Sequence, residues 1–337
     1  MKISMVKWLL VAVGLISINA NAGDYFGIGV NSHVGQRWQD LSRTLTLFEQ
    51  TAFSSIRDEV YWSRVEKERG ALRHTPEMSE LKEFANAAKS RNGRLVIVLG
   101  YGNKFYDGGR HPRSEAAIAA FADYCGFVAG AFSGYNVIFE IWNEWNSELG
   151  VVRGSGVGSA SDYINLLRAA VPAIRAAAPD AIVISTGLAR GVVEFEWLRQ
   201  FVAQGGAELV DGFGLHAYIF NKPGWSVERL SAWLSGLARE KSLLGDAIRE
   251  KGLYVTEYGA PYRSASAEVD SAAIVNGLDR LISNEVVRGV WLYQLVDNVP
   301  SAYKADSDEG AFGVFDSSGR RKQFFKELND VAAKAKR

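Results

Sequence analysis

The chain has 337 residues and no net charge by side-chain count, because 38 Lys and Arg residues balance 38 Asp and Glu residues. A chain without a basic excess or a basic stripe is a poor candidate for binding nucleic acid. Its single cysteine, Cys125, cannot form an internal disulfide, so no covalent cross-link stabilises the fold. The surrounding pattern is helical, and we interpret Cys125 as a small buried apolar residue and not as a nucleophile.

The first residues have the pattern of a secretory signal peptide. Lysines flank the start of an apolar run over 8–18, and the small residues at 20–22 suit cleavage. We therefore predict a signal peptide over 1–22 and a periplasmic or extracellular mature protein without stable membrane insertion. An uncleaved membrane anchor is the alternative, although the apolar run is short for a transmembrane helix.

Eight short apolar runs recur along the chain and are typical of buried strands. Runs this rich in Val and Ile suit parallel strands that are covered on both faces. The predicted strands, in chain order, are 25–31, 54–58, 94–100, 137–144, 181–187, 210–216, 253–257 and 289–295.

Apolar residues at three- and four-residue spacing separate these runs and indicate amphipathic helices. Leu41, Leu45 and Phe48 have this spacing after the first run, and Leu278 and Leu281 have it before the last. A strand followed by a helix, eight times over, predicts an α/β fold that forms a single (β/α)8 TIM barrel. A doubly wound open sheet is the alternative. No linker or composition break is evident, so we predict one catalytic domain over 23–337.

Two of the predicted strands end in a glutamate. The fourth continues into Trp142-Asn143-Glu144, and the seventh continues into Thr256-Glu257-Tyr258-Gly259. In a (β/α)8 barrel the chemistry takes place at the C-terminal ends of the strands. Two carboxyl groups facing one cleft are what glycosidic cleavage needs, one as an acid and one to meet the positive charge at the anomeric carbon.

These two motifs resemble the strand-four and strand-seven signatures of the clan of retaining β-glycosidases built on (β/α)8 barrels. Within that clan the chain most resembles family 39 glycoside hydrolases and related bacterial exopolysaccharide-cleaving enzymes, with family 5 as the near neighbour. The resemblance covers nearly the whole mature chain. One departure is Trp145, since many relatives have Pro after the acid/base glutamate. It leaves the catalytic pair intact and leaves the subfamily, and so the substrate, open.

The resemblance implies a role for both glutamates and for two residues near them. Glu144 would be the general acid/base and Glu257 the nucleophile of a double displacement. Asn143 would hydrogen-bond the sugar 2-hydroxyl, and Arg57 at the end of strand two would lie against the nucleophile. A fixed cation there would keep Glu257 ionised. A surface ion pair between Arg57 and a neighbouring carboxylate is the alternative.

Four more residues belong to the implied substrate site. His216 and Tyr218 end strand six, point the same way in an extended chain, and would hold the nucleophile and the sugar. Trp291 lies in strand eight, where clan members stack a tryptophan under the sugar at the cleavage point. Tyr293 is a candidate for a similar contact, and core packing is the alternative for both aromatic residues.

His33 and Tyr101 are weaker candidates for sugar contacts, because they follow strands one and three. For His33, capping a loop is the alternative. Tyr101 would line a subsite for the sugar. The sequence contains no His/Cys cluster with zinc spacing, no Gly-rich phosphate loop after strand one and no Gly-x-Ser-x-Gly elbow. We therefore predict that the protein needs no metal and no cofactor.

The sequence thus predicts a secreted, monomeric, retaining glycoside hydrolase that cleaves O-glycosidic bonds of a β-linked poly- or oligosaccharide. The resemblance and the signal peptide favour endo action on a bacterial exopolysaccharide. A plant-polysaccharide β-glycanase or β-xylosidase of the same clan is an alternative. A non-catalytic carbohydrate-binding barrel is another, although it would be expected to have lost one of the carboxylates. A metal-dependent barrel hydrolase is the third, and its ligand cluster is not visible.

Overall fold

The computed structural model describes residues 27–36, 39–189, 195–218, 227–239, 243–262, 271–298 and 308–335. The predicted signal peptide over 1–22 lies outside these residues. Within them, eight parallel strands form one sheet in the order β5-β4-β3-β2-β1-β8-β7-β6. The strands are β1 (Gly27–Asn31), β2 (Ser55–Tyr61), β3 (Leu95–Gly100), β4 (Val137–Ile141), β5 (Ile182–Ile184), β6 (Phe213–Tyr218), β7 (Leu253–Gly259) and β8 (Val287–Leu292).

The sheet closes on itself. Strand β1 pairs with both β2 and β8, and bridges join Ile184 to Gly212 and Leu188 to Leu215 between the two ends of the sheet. The predicted (β/α)8 TIM barrel is therefore confirmed, and the doubly wound open sheet is wrong.

Helices lie between the strands on the outside of the barrel. They are α1 (Leu41–Glu49), α2 (Trp62–Val65), α3 (Pro76–Lys89), α4 (Glu115–Ala131), α5 (Ala160–Ala177), α6 (Phe195–Ala203), α7 (Val227–Arg239), α8 (Leu243–Lys251), α9 (Ser271–Ile282) and α10 (Phe325–Lys334). Four of them begin where a side chain accepts a hydrogen bond from the N–H three residues on, and these caps are Asp40, Thr75, Ser114 and Ser159. None of the described helices has the length and apolar character needed to span a membrane.

The barrel interior has an apolar lower layer and a polar upper layer. The lower layer consists of Val96, Ile138, Ile182, Ile184, Tyr254 and Trp291, all buried. Side chains two residues further along a strand point the same way, so Glu140 follows Ile138 and Thr256 follows Tyr254 at a higher level. The polar layer thus lies at the C-terminal ends of the strands.

Some strand ends differ from the predicted ones. Strand β2 runs three residues beyond 58 to Tyr61, and β6 runs two beyond 216 to Tyr218. Strand β4 stops at Ile141 instead of 144, because Trp142 (φ 68°) and Glu144 (φ 53°) adopt left-handed backbone conformations that cannot continue a strand. These three differences change which side chains reach the mouth of the barrel.

Cys125 lies in α4 and is fully buried and free. Burial raises the pKa of its thiol well above the ordinary value, so the group stays protonated and packs as an apolar side chain.

Candidate active site

Glu257 lies on β7, and both oxygens of its buried carboxylate are bound. Arg57 Nη1 donates to Oε1 at 2.7 Å, and the Tyr218 hydroxyl donates to Oε2. His216 Nδ1 lies 3.3 Å from Oε2. Burial alone would raise the pKa of Glu257, but His216, Arg57 and Tyr218 together lower it. The site therefore holds Glu257 as a carboxylate, the form in which it can act as a nucleophile.

Arg57 is the centre of this buried network, and all five of its N–H groups have acceptors. Nη1 donates to Asn31 Oδ1 as well as to Glu257, each at 2.7 Å. Nε and Nη2 donate to the two oxygens of Glu140 at 2.7 and 3.1 Å, and Nη2 also donates to Asn143 Oδ1 at 2.8 Å. A guanidinium has five donors in a rigid fork, so the position of Arg57 is fully determined.

Glu140 anchors the other side of the guanidinium. It is completely buried, and its Oε1 also accepts from the Gly187 N–H at 2.9 Å and the Thr256 hydroxyl at 3.2 Å. A buried carboxylate needs such partners. Glu140 therefore balances the charge of Arg57, lies below the mouth of the barrel and acts structurally.

Glu144 follows β4 on a sharply turned backbone. Trp142 is fully buried, and its backbone N–H donates to Leu99 O at 2.8 Å, while the backbone N–H of Glu144 donates to Gly187 O at 3.0 Å. The left-handed conformations at Trp142 and Glu144 cost about 1–2 kcal/mol each, and such strain is concentrated at functional sites. The turn leaves the Glu144 side chain 20% exposed, at the opening of the barrel.

His216 lies between the two glutamates. Its Nδ1 is 2.9 Å from Glu144 Oε1 and 3.3 Å from Glu257 Oε2. Burial alone lowers the pKa of His216, but the charges of Glu257 and Glu144 outweigh burial and raise it. The imidazole thus contacts both carboxyl groups, and one oxygen of each glutamate and one ring nitrogen of His216 all lie within 4.8 Å of one another.

The same three groups are also a possible metal-binding set by spacing, and they form the one such cluster found within the described ranges. The surrounding charge argues for a different use. The guanidinium of Arg57 already lies 2.7 Å from Glu257, and a second cation beside it would be repelled. The three groups therefore fit an acid/base and a nucleophile better than they fit the ligands of a metal ion.

Aromatic side chains form one wall of the opening. The ring of Tyr293 packs edge-to-face against His33, Tyr218 and Phe312, with centroid distances of 5.0, 5.7 and 5.4 Å. Burial lowers the pKa of His33 to about 4, so its ring is neutral near pH 7. The structure thus brings Tyr218, Tyr293 and His33 together beside Glu257.

Trp291 is not part of this wall, so the prediction that it stacks under a sugar does not fit its position. Its indole is fully buried in the lower apolar layer, lies 6.3 Å from the ring of Tyr254, and donates from Nε1 to Ser55 Oγ at 2.8 Å. Tyr293, two residues further on, reaches the level of the glutamates. Core packing, the alternative for both, therefore describes Trp291 and not Tyr293.

Tyr101 is turned toward a third carboxyl group, which the sequence analysis missed. Its hydroxyl donates to Glu59 Oε1 at 2.9 Å, and burial raises the pKa of Glu59 to about 7. Glu59 points to the same side of β2 as Arg57, two residues before it. Extending the second predicted strand beyond Asp58 would have revealed this alignment.

Comparison with known proteins places the chain among glycoside hydrolases. Residues 19–206 match the family model described as cellulase, glycosyl hydrolase family 5. None of the curated proteins compared with the sequence matches it significantly.

Several solved structures share the fold. A family 39 glycoside hydrolase from the gut symbiont Bacteroides cellulosilyticus WH2 aligns with a TM-score of 0.71 and 20% identity, over 93% of this chain and 64% of that one. A GH5_18 structure from Streptomyces cattleya in complex with GlcNAc gives a TM-score of 0.70 and 16% identity, over 92% and 80%. Xylanase 10B from Thermotoga maritima aligns with a TM-score of 0.62 and 18% identity, over 94% of this chain and 97% of that one. The chain spans less than two thirds of the length of the Bacteroides structure.

Proposed function

The chain belongs to the cellulase family, glycosyl hydrolase family 5, and we propose that it is a retaining glycoside hydrolase acting on a β-linked poly- or oligosaccharide. The observation that carries the proposal is the closeness of Glu144 and Glu257, since one carboxylate oxygen of each lies within 4.8 Å of the other. Retaining enzymes hold their two carboxyl groups about 5–5.5 Å apart, whereas inverting enzymes need about 6.5–9.5 Å to admit a water molecule.

In the first step Glu144 protonates the glycosidic oxygen while Glu257 attacks the anomeric carbon. The C–O bond to the leaving sugar breaks, and a covalent glycosyl ester forms on Glu257. In the second step Glu144 takes a proton from water, which attacks the anomeric carbon and releases Glu257 as a carboxylate. Each role suits the environment, since Glu257 is buried and bound by donors while Glu144 reaches the opening.

Arg57 keeps the nucleophile aligned through both steps. Esterification removes the charge on Glu257, and Glu140 then remains as the carboxylate partner of the guanidinium. Asn143, whose Oδ1 accepts from Arg57, keeps its amide N–H groups as donors for a sugar hydroxyl. Tyr293, Tyr218 and His33 offer an aromatic wall for the sugar ring.

For the substrate we propose first an endo cleavage of bacterial exopolysaccharide, as the sequence resemblance favours. Plant β-glycans and β-xylosides are the second candidate, and one of the similar structures is a xylanase. A monomeric state and export to the periplasm or the medium are part of the proposal, and the signal-peptide pattern over 1–22 supports the export.

The test is the release of reducing ends from a panel of β-linked polysaccharides that includes bacterial exopolysaccharides. The mature protein is assayed beside Glu144→Gln and Glu257→Gln. The control is Glu148→Gln on the same loop, whose carboxylate accepts from the backbone N–H groups of Gly154 and Gly156. We expect losses of at least about 10²–10⁴-fold in the first two variants and near-parent activity in the control.

Two further readouts separate the alternatives. NMR of the first-formed anomer should show retained configuration, and an inverted product would contradict the double displacement. Parent-like activity in both glutamine variants would remove these glutamates from the mechanism. Binding to a polysaccharide without cleavage of any panel member would favour a carbohydrate-binding barrel.

A further inference from the structure

A groove lies on the same face of the barrel as Glu144 and Glu257. Its volume is about 570 Å³, within the range of about 300–1,000 Å³ that is common for ligand sites. Lys67 follows β2, Lys104 and Phe105 follow β3, and Val152 follows β4, and all four line it. Segments that follow the C-terminal ends of adjacent parallel strands share the catalytic face, so the groove can bind a part of the substrate chain away from the cleavage point.

The floor of the groove is built around the buried side chain of Glu66. Its carboxylate accepts from Trp62 Nε1 at 2.7 Å and from the Tyr106 hydroxyl and the Gly70 N–H at 2.6 Å each. The rings of Trp62 and Tyr106 stack 5.0 Å apart and nearly parallel. Asn103 Nδ2 donates to Glu66 O at 3.1 Å. The groove is therefore preformed, and the carboxylate of Glu66 is already used by three donors.

One wall connects the groove to Tyr101 and, through it, to Glu59. The N–H of Gly102 donates to Gly150 O at 2.9 Å, so the loops after β3 and β4 are held together. Gly150 (φ 73°) passes so closely over the ring of Tyr101 that a Cβ there would overlap it. Tyr101 in turn donates to Glu59. The groove thus begins on the far side of Tyr101, along the loop that starts at Glu144.

The exposed charge lining the groove is positive, because Glu66, the one carboxylate among its lining residues, is buried at the floor. Lys67 and Lys104 are both exposed, and within the described ranges no carboxylate lies within ion-pair distance of either ammonium group. Phe105 adds an aromatic face, 5.2 Å from Lys104 Nζ. Two ammonium groups next to an aromatic ring suit a sugar that carries a carboxylate. The sugar ring can stack on the phenyl ring while its carboxylate pairs with the ammonium groups.

We propose that this groove is a distal subsite that binds an acidic sugar residue of the substrate chain through Lys67 and Lys104. The inference rests on the proposed glycosidase function and deepens it, since it makes the substrate an acidic polysaccharide that extends beyond the cleavage point. A chain bound at both places is cleaved internally.

Two soluble ethers of one β-1,4-glucan test the charge preference, namely anionic carboxymethyl cellulose and neutral hydroxyethyl cellulose. Binding of the mature protein is measured by affinity gel electrophoresis at low and high salt. We expect stronger retardation by the anionic polymer, and salt should remove the difference by screening. The double variant Lys67→Ala/Lys104→Ala should bind the anionic polymer about two- to thirtyfold more weakly, as expected for the loss of two exposed ion pairs.

The matched control is Lys89→Ala/Lys326→Ala, which removes two exposed lysines from α3 and α10 and should bind like the parent. Equal retardation by both polymers, no retardation by carboxymethyl cellulose, or parent-like binding by the groove variant would overturn the proposal. Retardation needs no turnover, so this result is independent of the activity lost in Glu144→Gln and Glu257→Gln. Each proposal can therefore fail without the other.

Discussion

Arg57 Nη1 lies 2.7 Å from Glu257 Oε1, with both side chains buried inside the barrel. The remaining donors of Arg57 fix Glu140, Asn31 and Asn143, so Glu257 is aligned by a network in which one guanidinium serves four partners. A network of this kind stabilises the fold and orients the site together, because removing one member leaves buried groups without partners.

We expect Arg57→Lys to lose both stability and activity although it keeps the positive charge. Lysine has three donors and no planar fork, so it leaves Glu140 or Glu257 poorly compensated. Breaking a buried ion pair costs about 3–5 kcal/mol. The measurements are the free energy of unfolding in urea and kcat/KM. The control is Arg113→Lys, whose ion pair with Asp162 is partly exposed and should change the free energy by less than about 1 kcal/mol. Equal effects in both variants would contradict a special role for the network.

Strand periodicity predicts this network in part. The apolar runs that end in polar residues locate the mouth of the barrel, and alternation along a strand places Arg57 and Glu59, or His216 and Tyr218, on one side. The sequence does not reveal how far a strand continues. The apolar run predicts an end of β2 at Asp58, so it does not show that the strand continues and brings Glu59 to the hydroxyl of Tyr101.

The alternation of side chains along a strand also does not show how far along the barrel axis a side chain lies. Trp291 and Tyr293 have the same parity, so both are candidates for the interior. Only the register of β8 against β1, with Trp291 beside Gly29, shows their levels. The indole of Trp291 lies in the lower layer of the barrel, and the phenol of Tyr293 lies near its mouth. In the same way, the motif Trp142-Asn143-Glu144 indicates Glu144 as the candidate acid/base, but the left-handed turn that brings Glu144 to the opening depends on tertiary contacts.

Tyr218→Phe should shift the acidic limb of the kcat/KM profile to higher pH. The Tyr218 hydroxyl is one of the groups that lower the pKa of Glu257 below its ordinary value of 4.5, and without it the carboxylate takes up a proton at a higher pH. The control is Tyr262→Phe, whose hydroxyl contacts the exposed side chain of Gln323 and should leave the profile unchanged. A profile that does not move in Tyr218→Phe would contradict the assigned hydrogen bond.

The same shift predicts a pH dependence of stability. The pKa of Glu257 is lower in the folded protein than in the unfolded chain, so its ionisation contributes stability that is fully present above the unfolded pKa. That contribution is lost as the pH falls through the folded pKa. We therefore expect Tyr218→Phe to have a lower free energy of unfolding than the parent near pH 7, with the difference shrinking toward acid pH. Urea titrations at several pH values measure it, and a constant difference would exclude the linkage.

Substitutions of Trp291 and Tyr293 should change different properties. Changing Trp291 should lower stability, and changing Tyr293 should weaken substrate binding. Trp291→Phe leaves space in the buried lower layer and removes the donor to Ser55, so we expect a loss of about 1–3 kcal/mol in the free energy of unfolding with little change in KM. Tyr293→Ala removes an aromatic face at the opening and should weaken substrate binding about two- to tenfold. A rise in KM for Trp291→Phe in a protein of unchanged stability would restore the original prediction for the tryptophan.

Lys322 holds the loop that carries part of the aromatic wall. Its buried ammonium group donates to Asp297 Oδ1 and Ala311 O, each at 2.7 Å, and the next residue, Phe312, packs 5.5 Å from the ring of Tyr218. We expect Lys322→Met to cost about 3–5 kcal/mol, because it leaves Asp297 without its charged partner, and to lower kcat/KM by displacing Phe312.

Two comparisons test that assignment by urea denaturation. Lys322→Met/Asp297→Asn should recover part of the lost free energy, since the unpaired charge is removed together with its partner. Lys326→Met breaks only an exposed pair with Asp330 on α10 and should leave the free energy of unfolding close to that of the parent. If the Asp297 substitution brings no recovery, the loss comes from packing around the lysine stem and not from the buried charge. A loss of stability without any change in kcat/KM would show that the aromatic wall keeps its position without Lys322.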